Sequence, residues 1–157
     1  MALRPDRIHI DSQIDFFMNE VAERGGIVSI STVGSGAAMD QASQLCTYKA
    51  NPSGAAPLGV LMGDMVNNDL TRMHENWHKE EVQQGGKVTI WNKCTVVTDR
   101  IYPGTTPAAG NVAYVAHSGY IAPSKIVTDS SAASHIVGRF LSTKDEDGFC
   151  KVSINLP

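Results

Sequence analysis

Short segments of alternating apolar and polar residues, separated by clusters of glycine, proline, asparagine and serine, constrain the fold of this chain more than any other feature. Most of them follow Gly26, span four to seven residues and are rich in β-branched and aromatic side chains. Such segments are typical of β-strands, and the turn-forming residues between them are typical of a small β-barrel or sandwich. The sequence therefore predicts a mainly β fold.

The C-terminal stretch "HIVGRFLSTKDEDGFCKVSINLP" has the clearest pattern. It predicts two strands joined across an acidic turn, in which Asp147 and Gly148 are expected to adopt positive φ angles. Alternate residues of the last strand are apolar, which predicts a half-buried strand that closes the sheet. These residues are Cys150, Val152, Ile154 and Leu156.

Two apolar segments contain a glycine at similar positions. "PLGVLMGD" at 57–64 and "IVGRFLSTKD" at 136–145 each place a glycine after an apolar residue and before two more large apolar residues. A glycine inside a strand often marks a bulge or a sharp bend. We expect both glycines to lie where the strands of a small barrel bend.

Residues 1–24 are interpreted as an N-terminal arm that precedes a single β-rich domain at 25–157. If the segment were helical, one face of the helix would carry Ile14, Phe17, Met18 and Val21. Because the segment also alternates near its start, a short helix and an extended arm both remain open. The arm has more apolar surface than an unattached terminus usually has, so a partner is expected to cover it. The candidate capsid or oligomer contacts are Ile8, Ile10, Ile14, Phe16 and Phe17.

Composition excludes several classes of function. The chain has 157 residues, which suits one domain. Its net charge is −3, and its lysines and arginines are scattered along the sequence. Without a basic stripe, direct binding to nucleic acid is not expected. No apolar run approaches the roughly 20 residues of a membrane span, and the polar N-terminus lacks a signal-like core, so no membrane association is expected.

The three cysteines are odd in number, far apart and without the C-x-x-C spacing of a zinc site. The pattern therefore predicts buried thiols and no disulfide framework for Cys46, Cys94 and Cys150.

The polar insert at residues 65–86, helical or extended, contains "HENWH", which matches the zinc-peptidase motif H-E-x-x-H. In that motif His74 and His78 would bind zinc and Glu75 would act as general base. The extended form of the motif also requires a glycine and a third histidine, where this chain has Glu81 and Gln84. We interpret the motif as part of a solvated helix or linker. No catalytic residue, metal or cofactor is expected, and a zinc peptidase is kept as an alternative function.

A second alternative is a carbohydrate- or receptor-binding β module of a virion surface. Such a site needs clustered exposed aromatic residues. The aromatic residues considered are scattered along the sequence, which disfavours this function. They are Trp77, Trp91, Tyr102, Tyr114 and Tyr120.

From about Gly25 onward the chain resembles the head decoration, or cement, proteins of tailed bacteriophages. The resemblance lies in the order of "GGIVSISTVGSG", "PLGVLMGDMV", "GNVAYVAHSGYI" and the terminal stretch quoted above. It implies a small β-barrel or β-tulip-like fold that binds the outer surface of the assembled capsid, commonly as a homotrimer, and stabilises it against internal DNA pressure. The partners it implies are the major capsid protein and further copies of the chain, and the location is the virion surface after synthesis in the host cytoplasm. The chain departs from the family in its longer apolar arm and in its polar insert.

The residues and the resemblance agree on an interface formed by the arm. Covering each large apolar side chain would contribute about 1.5 to 3 kcal/mol. Addition of a sheet edge to the shell is an alternative mode of attachment. On this interpretation, deletion of residues 1–24 is expected to leave the domain folded and to abolish shell binding.

Overall fold

The computed structural model describes residues 3–31, 44–64, 81–126 and 134–157, with the backbone alone for residues 3–8 and 64. The described chain is mainly β, as predicted, with one 3₁₀ turn at His117–Gly119. Within the described residues, no helix is long and apolar enough to cross a membrane. The strands are β1 (Leu3–Met18), β2 (Ala22–Glu23), β3 (Ile27–Ser31), β4 (Leu45–Thr47), β5 (Pro57–Asp64), β6 (Glu81–Val82), β7 (Lys87–Thr98), β8 (Val112–Val115), β9 (Ile121–Ala122), β10 (Ile136–Phe140) and β11 (Cys150–Asn155).

Five strands pair in a closed ring. β1 pairs with β4, β4 with β3, β3 with β5, β5 with β7, and β7 returns to β1. The pairing of β1 with β4 is parallel, and the other four are antiparallel. The ring has its own apolar cluster, the ring core, to which every one of its strands contributes. The ring core consists of Met18, Ala22, Val28, Cys46, Leu61, Val82, Val88 and Ile90.

The sheet also continues beyond the ring, so the fold is not a simple barrel. The order β7–β11–β10–β8–β9 forms an antiparallel extension that begins on the second half of β7. A larger cluster, the sheet core, lies between this extension and residues of β3 and β5. The sheet core consists of Ile27, Val60, Trp91, Cys94, Val96, Ile101, Ala113, Val115, Ile121, Val137, Phe140, Cys150, Val152, Ile154 and Leu156.

β7 is one continuous strand, although the sequence suggested two apolar segments around Asn92. Its neighbour on one side changes near this residue, because β5 pairs as far as Trp91 and β11 begins at Lys93. The core to which the buried residues of β7 belong changes at the same place. Val88 and Ile90 lie in the ring core, and the sheet core begins with Trp91. The polar residues in the middle of β7 therefore mark a change of partner and not a turn.

The terminal strand is half-buried as predicted, with Cys150, Val152, Ile154 and Leu156 all inside the sheet core. The Leu156 N–H donates a hydrogen bond of 3.0 Å to the Asn92 carbonyl, which fastens the end of the chain to β7. The acidic turn holds Gly148 at a φ of 90°, as expected, whereas Asp147 is not among the residues with positive φ. The Asp145 carboxylate instead closes the turn by accepting the Phe149 N–H at 2.7 Å.

Both strand glycines lie at irregularities of the sheet, which confirms the predicted bulges. Gly59 lies opposite β3 where the register shifts, and Gly138 lies opposite β8 at a second shift. A Cβ atom on Gly138 would come within 1.9 Å of the Ser153 carbonyl oxygen. Only glycine fits here, because the neighbouring backbone is too close for a side chain.

The short helix considered for the N-terminal segment is wrong, because these residues form β1. Even-numbered residues from Ile14 to Met18 turn towards the ring core, while Asp11, Gln13 and Asp15 are exposed, which is the two-residue period of a strand. The helical spacing depended on Val21, which is exposed and lies beyond β1. Of the predicted insert, residues 65–80 lie outside the described residues, while Glu81–Val82 form β6 and pair with β2.

Candidate functional site

β1 places the candidate contact residues of the N-terminal segment along one edge of the ring. Ile14 and Phe16 pack against the ring core, so part of their apolar surface is covered within the chain. Phe17 is half-buried, with the Lys87 ammonium 5.9 Å from its ring centre. Ile10 is 43% exposed, and for Ile8 the backbone alone is described. Of these candidates, Ile10 presents the most open apolar side chain among those with described side chains.

Among the described strands, none pairs with one side of β1 over most of its length. β7 lies along the other side, from the Leu3–Thr98 pair to the Phe17–Lys87 pair. On the open side, β4 pairs with Phe17 and Met18, and no other described strand pairs there. We call the open side of residues 3–16 the β1 edge. A free edge presents backbone N–H and C=O groups that can accept another strand.

Tyr48 holds together a second surface that the sequence did not predict. Its hydroxyl donates a hydrogen bond of 2.7 Å to the Glu23 carbonyl and accepts one of 3.0 Å from the Gly26 N–H. A Cβ atom on Gly119 would come within 2.4 Å of the Tyr48 ring, so this ring packs directly against glycine backbone. Burial raises the pKa of Tyr48, which keeps the phenol protonated and able to donate.

Arg100 lies close to two of the rings on this surface. Its guanidinium is 5.9 Å from the centre of the Tyr48 ring and 5.6 Å from that of Tyr120, distances typical of cation–π contacts. Its Nη2 also donates to the Glu23 carboxylate at 2.8 Å, with 18% of the Arg100 side chain exposed. The cation is therefore neutralised and largely covered, and it fixes the rings around it.

Two further rings, those of Tyr102 and His117, extend this surface from Tyr120. The rings of Tyr102 and Tyr120 are 6.3 Å apart and nearly perpendicular, and those of Tyr102 and His117 are 6.2 Å apart. The His117 Nδ1 lies 2.7 Å from the Ala50 carbonyl, to which it donates. All three side chains are half-buried. We call Tyr48, Arg100, Tyr102, His117 and Tyr120 the tyrosine cluster.

The scatter of aromatic residues along the sequence was therefore a wrong guide to their position in space. Tyr102 and Tyr120 come together because the Tyr102 N–H donates to the Ile121 carbonyl, which joins the two segments. Trp91, by contrast, is buried in the sheet core, and Trp77 lies outside the described residues. The pairing of separate loops is a long-range event, so no local pattern predicted the cluster.

A shallow depression of about 300 Å³ lies next to the tyrosine cluster. It is lined by Ile30, Lys49, Asn51, Ser53 and the small residues Gly54, Ala55 and Ala56. The 3₁₀ turn adjoins it, because the Ser118 N–H donates to the Lys49 carbonyl at 2.7 Å. Ser118 is exposed and has a φ of 53°, the one positive φ outside glycine among the described residues.

The outer face of β10 and β11 carries a second depression, of about 400 Å³. Gly138 and Ser153 lie among its lining residues, together with the exposed Ile136 and Leu141. This depression adds apolar surface on β10 and β11, on the other side of β7 from β1.

The cysteines are buried thiols, as predicted, and all three are free. Burial raises the pKa of the Cys46 and Cys94 thiols to about 12, and it also raises the pKa of Cys150. A thiol is nucleophilic as its thiolate, so these groups are unreactive in the folded protein at neutral pH.

We expect the folded protein to react with a disulfide reagent on the order of 1,000-fold more slowly than the unfolded chain at pH 8. The reason is that a pKa near 12 leaves almost no thiolate at that pH, and the rate should rise as pH increases. Absorbance of the released thiol, with and without denaturant, measures both rates. Rapid labelling of the native protein would contradict this result.

The zinc-peptidase residues His74, Glu75 and His78 all lie outside the described residues. Within the part of the chain that is described, no group of three or more His, Cys, Asp or Glu side chains is placed to hold a metal ion. His9 and His135 are exposed, as expected for surface histidines.

Comparison with known proteins gives partial likeness to solved structures alone. No protein-family model matches the chain, and no curated protein is significantly similar to it. Among solved structures, the N-terminal base of the head fibre gp8.5 of bacteriophage phi29 aligns with a TM-score of 0.48 and 11% identity, over 92% of this chain and 93% of that one. A likeness at this level establishes neither a shared fold nor a shared role.

Proposed function

We propose that this protein is a structural component of a tailed-phage virion that binds the outer surface of the capsid and stabilises the shell, without catalysis. The order of sequence features from about Gly25 onward, which resembles that of head decoration proteins, supports the role. The β1 edge is the single structural observation that supports attachment to a partner. The proposed partners are the major capsid protein and further copies of this chain.

Backbone chemistry makes the β1 edge suited to a strand-shaped partner. Alternate residues of an edge strand offer N–H and C=O groups on the open side, and an added strand satisfies them without any special side chain. Soluble proteins usually block long edges with short strands, prolines or inward charges. β1 has Pro5 near its start and three register shifts against β7, whereas its pairing from Gln13 to Phe17 is regular and contains no proline.

Side chains on β1 supply a second contribution. Ile10 is 43% exposed beside the edge, and its register partner on β7 is Cys94. Full burial of this side chain under a partner strand would contribute about 1.5 to 3 kcal/mol. If the copies are linked in an oligomer, contacts of this size add to one another and strengthen attachment.

The fold gives the β1 edge a firm base. β1 is paired with β7, and β7 is itself paired with β5 and β11 on its other side. The buried Met18 fixes the end of β1 in the ring core. A partner strand would therefore add to a pre-formed sheet and would not have to order a loose arm, which lowers the entropic cost of binding.

Replacement of Ile10 by lysine is expected to weaken binding to empty shells of the cognate major capsid protein about tenfold or more. The substitution removes an exposed apolar contact and places on the edge a charge of the kind that natural edges use against strand addition. Co-sedimentation at a series of protein concentrations measures the affinity. Light scattering on the same samples reports self-association, for which a trimer is expected.

Val21→Lys is the matched control, because Val21 is 60% exposed but lies beyond β1. It makes the same change of size and charge, and we expect shell binding to stay at the wild-type level. Both variants should keep the wild-type melting temperature, since both positions are exposed. Wild-type binding by Ile10→Lys, or an equal loss in the two variants, would remove the β1 edge from the proposed interface.

A further inference from the structure

We propose that the tyrosine cluster and the depression beside it form a binding site for a neutral carbohydrate chain. This site is separate from the β1 edge and does not depend on attachment to a capsid. It combines rigid aromatic rings, a line of small and polar side chains, and a strained turn that presents a hydroxyl group.

The rings are fixed before any ligand arrives. Tyr48 is held through its hydroxyl by Glu23 and Gly26, and Arg100 is held by the Glu23 carboxylate. Tyr120 lies against Arg100, and Tyr102 lies edge-on to Tyr120. Because the rings are already ordered, a ligand that stacks on Tyr102 loses little binding energy to side-chain ordering.

The groups around the rings suit a ligand rich in hydroxyl groups. Lys49, Asn51 and Ser53 line the depression, and Ser118 lies beside it on the 3₁₀ turn. Amide and hydroxyl groups can both donate and accept hydrogen bonds, as a sugar hydroxyl requires. Tyrosine with serine, asparagine and glycine is also the combination that adaptable polar binding surfaces use.

The charge at the site favours a neutral ligand over an anionic one. Lys49 is the one charged residue among those that line the depression. Arg100, the other nearby cation, is already paired with Glu23 and largely covered by rings. Phosphate chains and nucleic acids are bound by several exposed cations together, and this site does not offer them among its described residues.

Ser118 provides an independent sign that the turn is shaped for contact. A serine with φ of 53° costs free energy relative to glycine, and such strain is often kept where it positions a functional group. The turn is held in place by hydrogen bonds from the Ser118 N–H to Lys49 and from the Tyr120 N–H to His117. The backbone of Ser118 is therefore held beside the depression, and its side chain is exposed there.

A printed array of neutral oligosaccharides of glucose, galactose, mannose and N-acetylglucosamine tests the site on the full-length protein. The best-bound sugar is then titrated into labelled protein and followed by NMR. We expect the amide signals of Asn51, Tyr102, Ser118 and Gly119 to shift. This mapping uses the wild-type protein, so it does not depend on whether any variant folds.

Two variants sharpen the test. Tyr102→Ala removes the stacking surface and should weaken binding about 3- to 10-fold. Ser118→Gly removes the hydroxyl and suits the backbone, so it should weaken sugar binding while stability is kept or increased. Tyr114→Ala is the matched control, because this half-buried tyrosine lies on β8 and pairs with Ile136, and affinity should not change.

Absence of binding to every neutral sugar would overturn the proposal. So would shifts confined to other surfaces, undiminished binding by both Tyr102→Ala and Ser118→Gly, or tighter binding of sulfated or phosphorylated sugars than of neutral ones. The measurements use no capsids, so failure here leaves the proposed capsid role intact. Failure of shell binding would likewise leave the carbohydrate site standing.

Discussion

Gly138→Ala is expected to destabilise the folded protein by about 3 kcal/mol or more and to lower its melting temperature by about 6 to 12 °C. The added Cβ atom would lie 1.9 Å from the Ser153 carbonyl oxygen and 2.9 Å from its carbonyl carbon. Those atoms belong to β11, whose pairing with both β10 and β7 keeps them from moving away. The strands must separate to admit one methyl group. Thermal and denaturant unfolding followed by circular dichroism measure the loss.

Two glycines of β5, Gly59 and Gly63, give a matched pair for this experiment. At Gly59 the φ is 150° and an added Cβ atom would lie 2.3 Å from the Trp91 carbonyl oxygen, so alanine should be strongly destabilising there as well. At Gly63 an added Cβ atom would meet nothing within 4 Å, and alanine should be neutral or slightly stabilising. Equal stability of the Gly59 and Gly63 variants would show that close backbone approach does not determine the role of these glycines.

These glycines also show how far local sequence carries the fold. A glycine between large apolar residues marks a bulge whatever its partner is, so the position of both bulges was predictable. The clash that requires glycine comes from Ser153 or Trp91, which are distant in sequence, and no local pattern names them. The buried face of β11 was predictable for a similar reason, since alternation is a property of the strand itself.

Partner choice is what the sequence left open. The even-numbered apolar residues of β1 have the two-residue period of a strand. The same segment, extended to Val21, also fits the spacing of a helix. Pairing with β7 decides between them, because a strand satisfies its backbone groups on β7 while placing Met18 in the ring core. The short strands β2 and β6 have two residues each, and they form by pairing with one another, too briefly to leave a pattern.

The interaction surfaces depend still more on tertiary structure. The tyrosine cluster is assembled from three separate parts of the chain, and each of its members looks like an isolated aromatic or basic residue in the sequence. The β1 edge depends on which strands do not pair, which alternation along one strand cannot reveal. The apolar excess in residues 1–24 predicted contact with a partner, but Ile14 and Phe16 are in part covered within the chain itself.

Removal of residues 1–18 is expected to abolish the cooperative unfolding transition, in contrast to the folded domain that the arm interpretation predicted for a longer deletion. Without β1 the ring cannot close, and the side of β7 from Lys87 to Thr98 loses its partner. The ring core also loses Met18, a fully buried side chain whose replacement by alanine alone would cost about 2 to 5 kcal/mol. That loss approaches the whole stability of an ordinary domain once the backbone pairing of β1 is added. NMR dispersion and thermal scans of the truncated chain test this, with Ile10→Lys as the control in which β1 is altered but kept. A truncated protein that melts cooperatively near the wild-type temperature would mean that β1 is an appendage and that the remaining strands form a complete core without it.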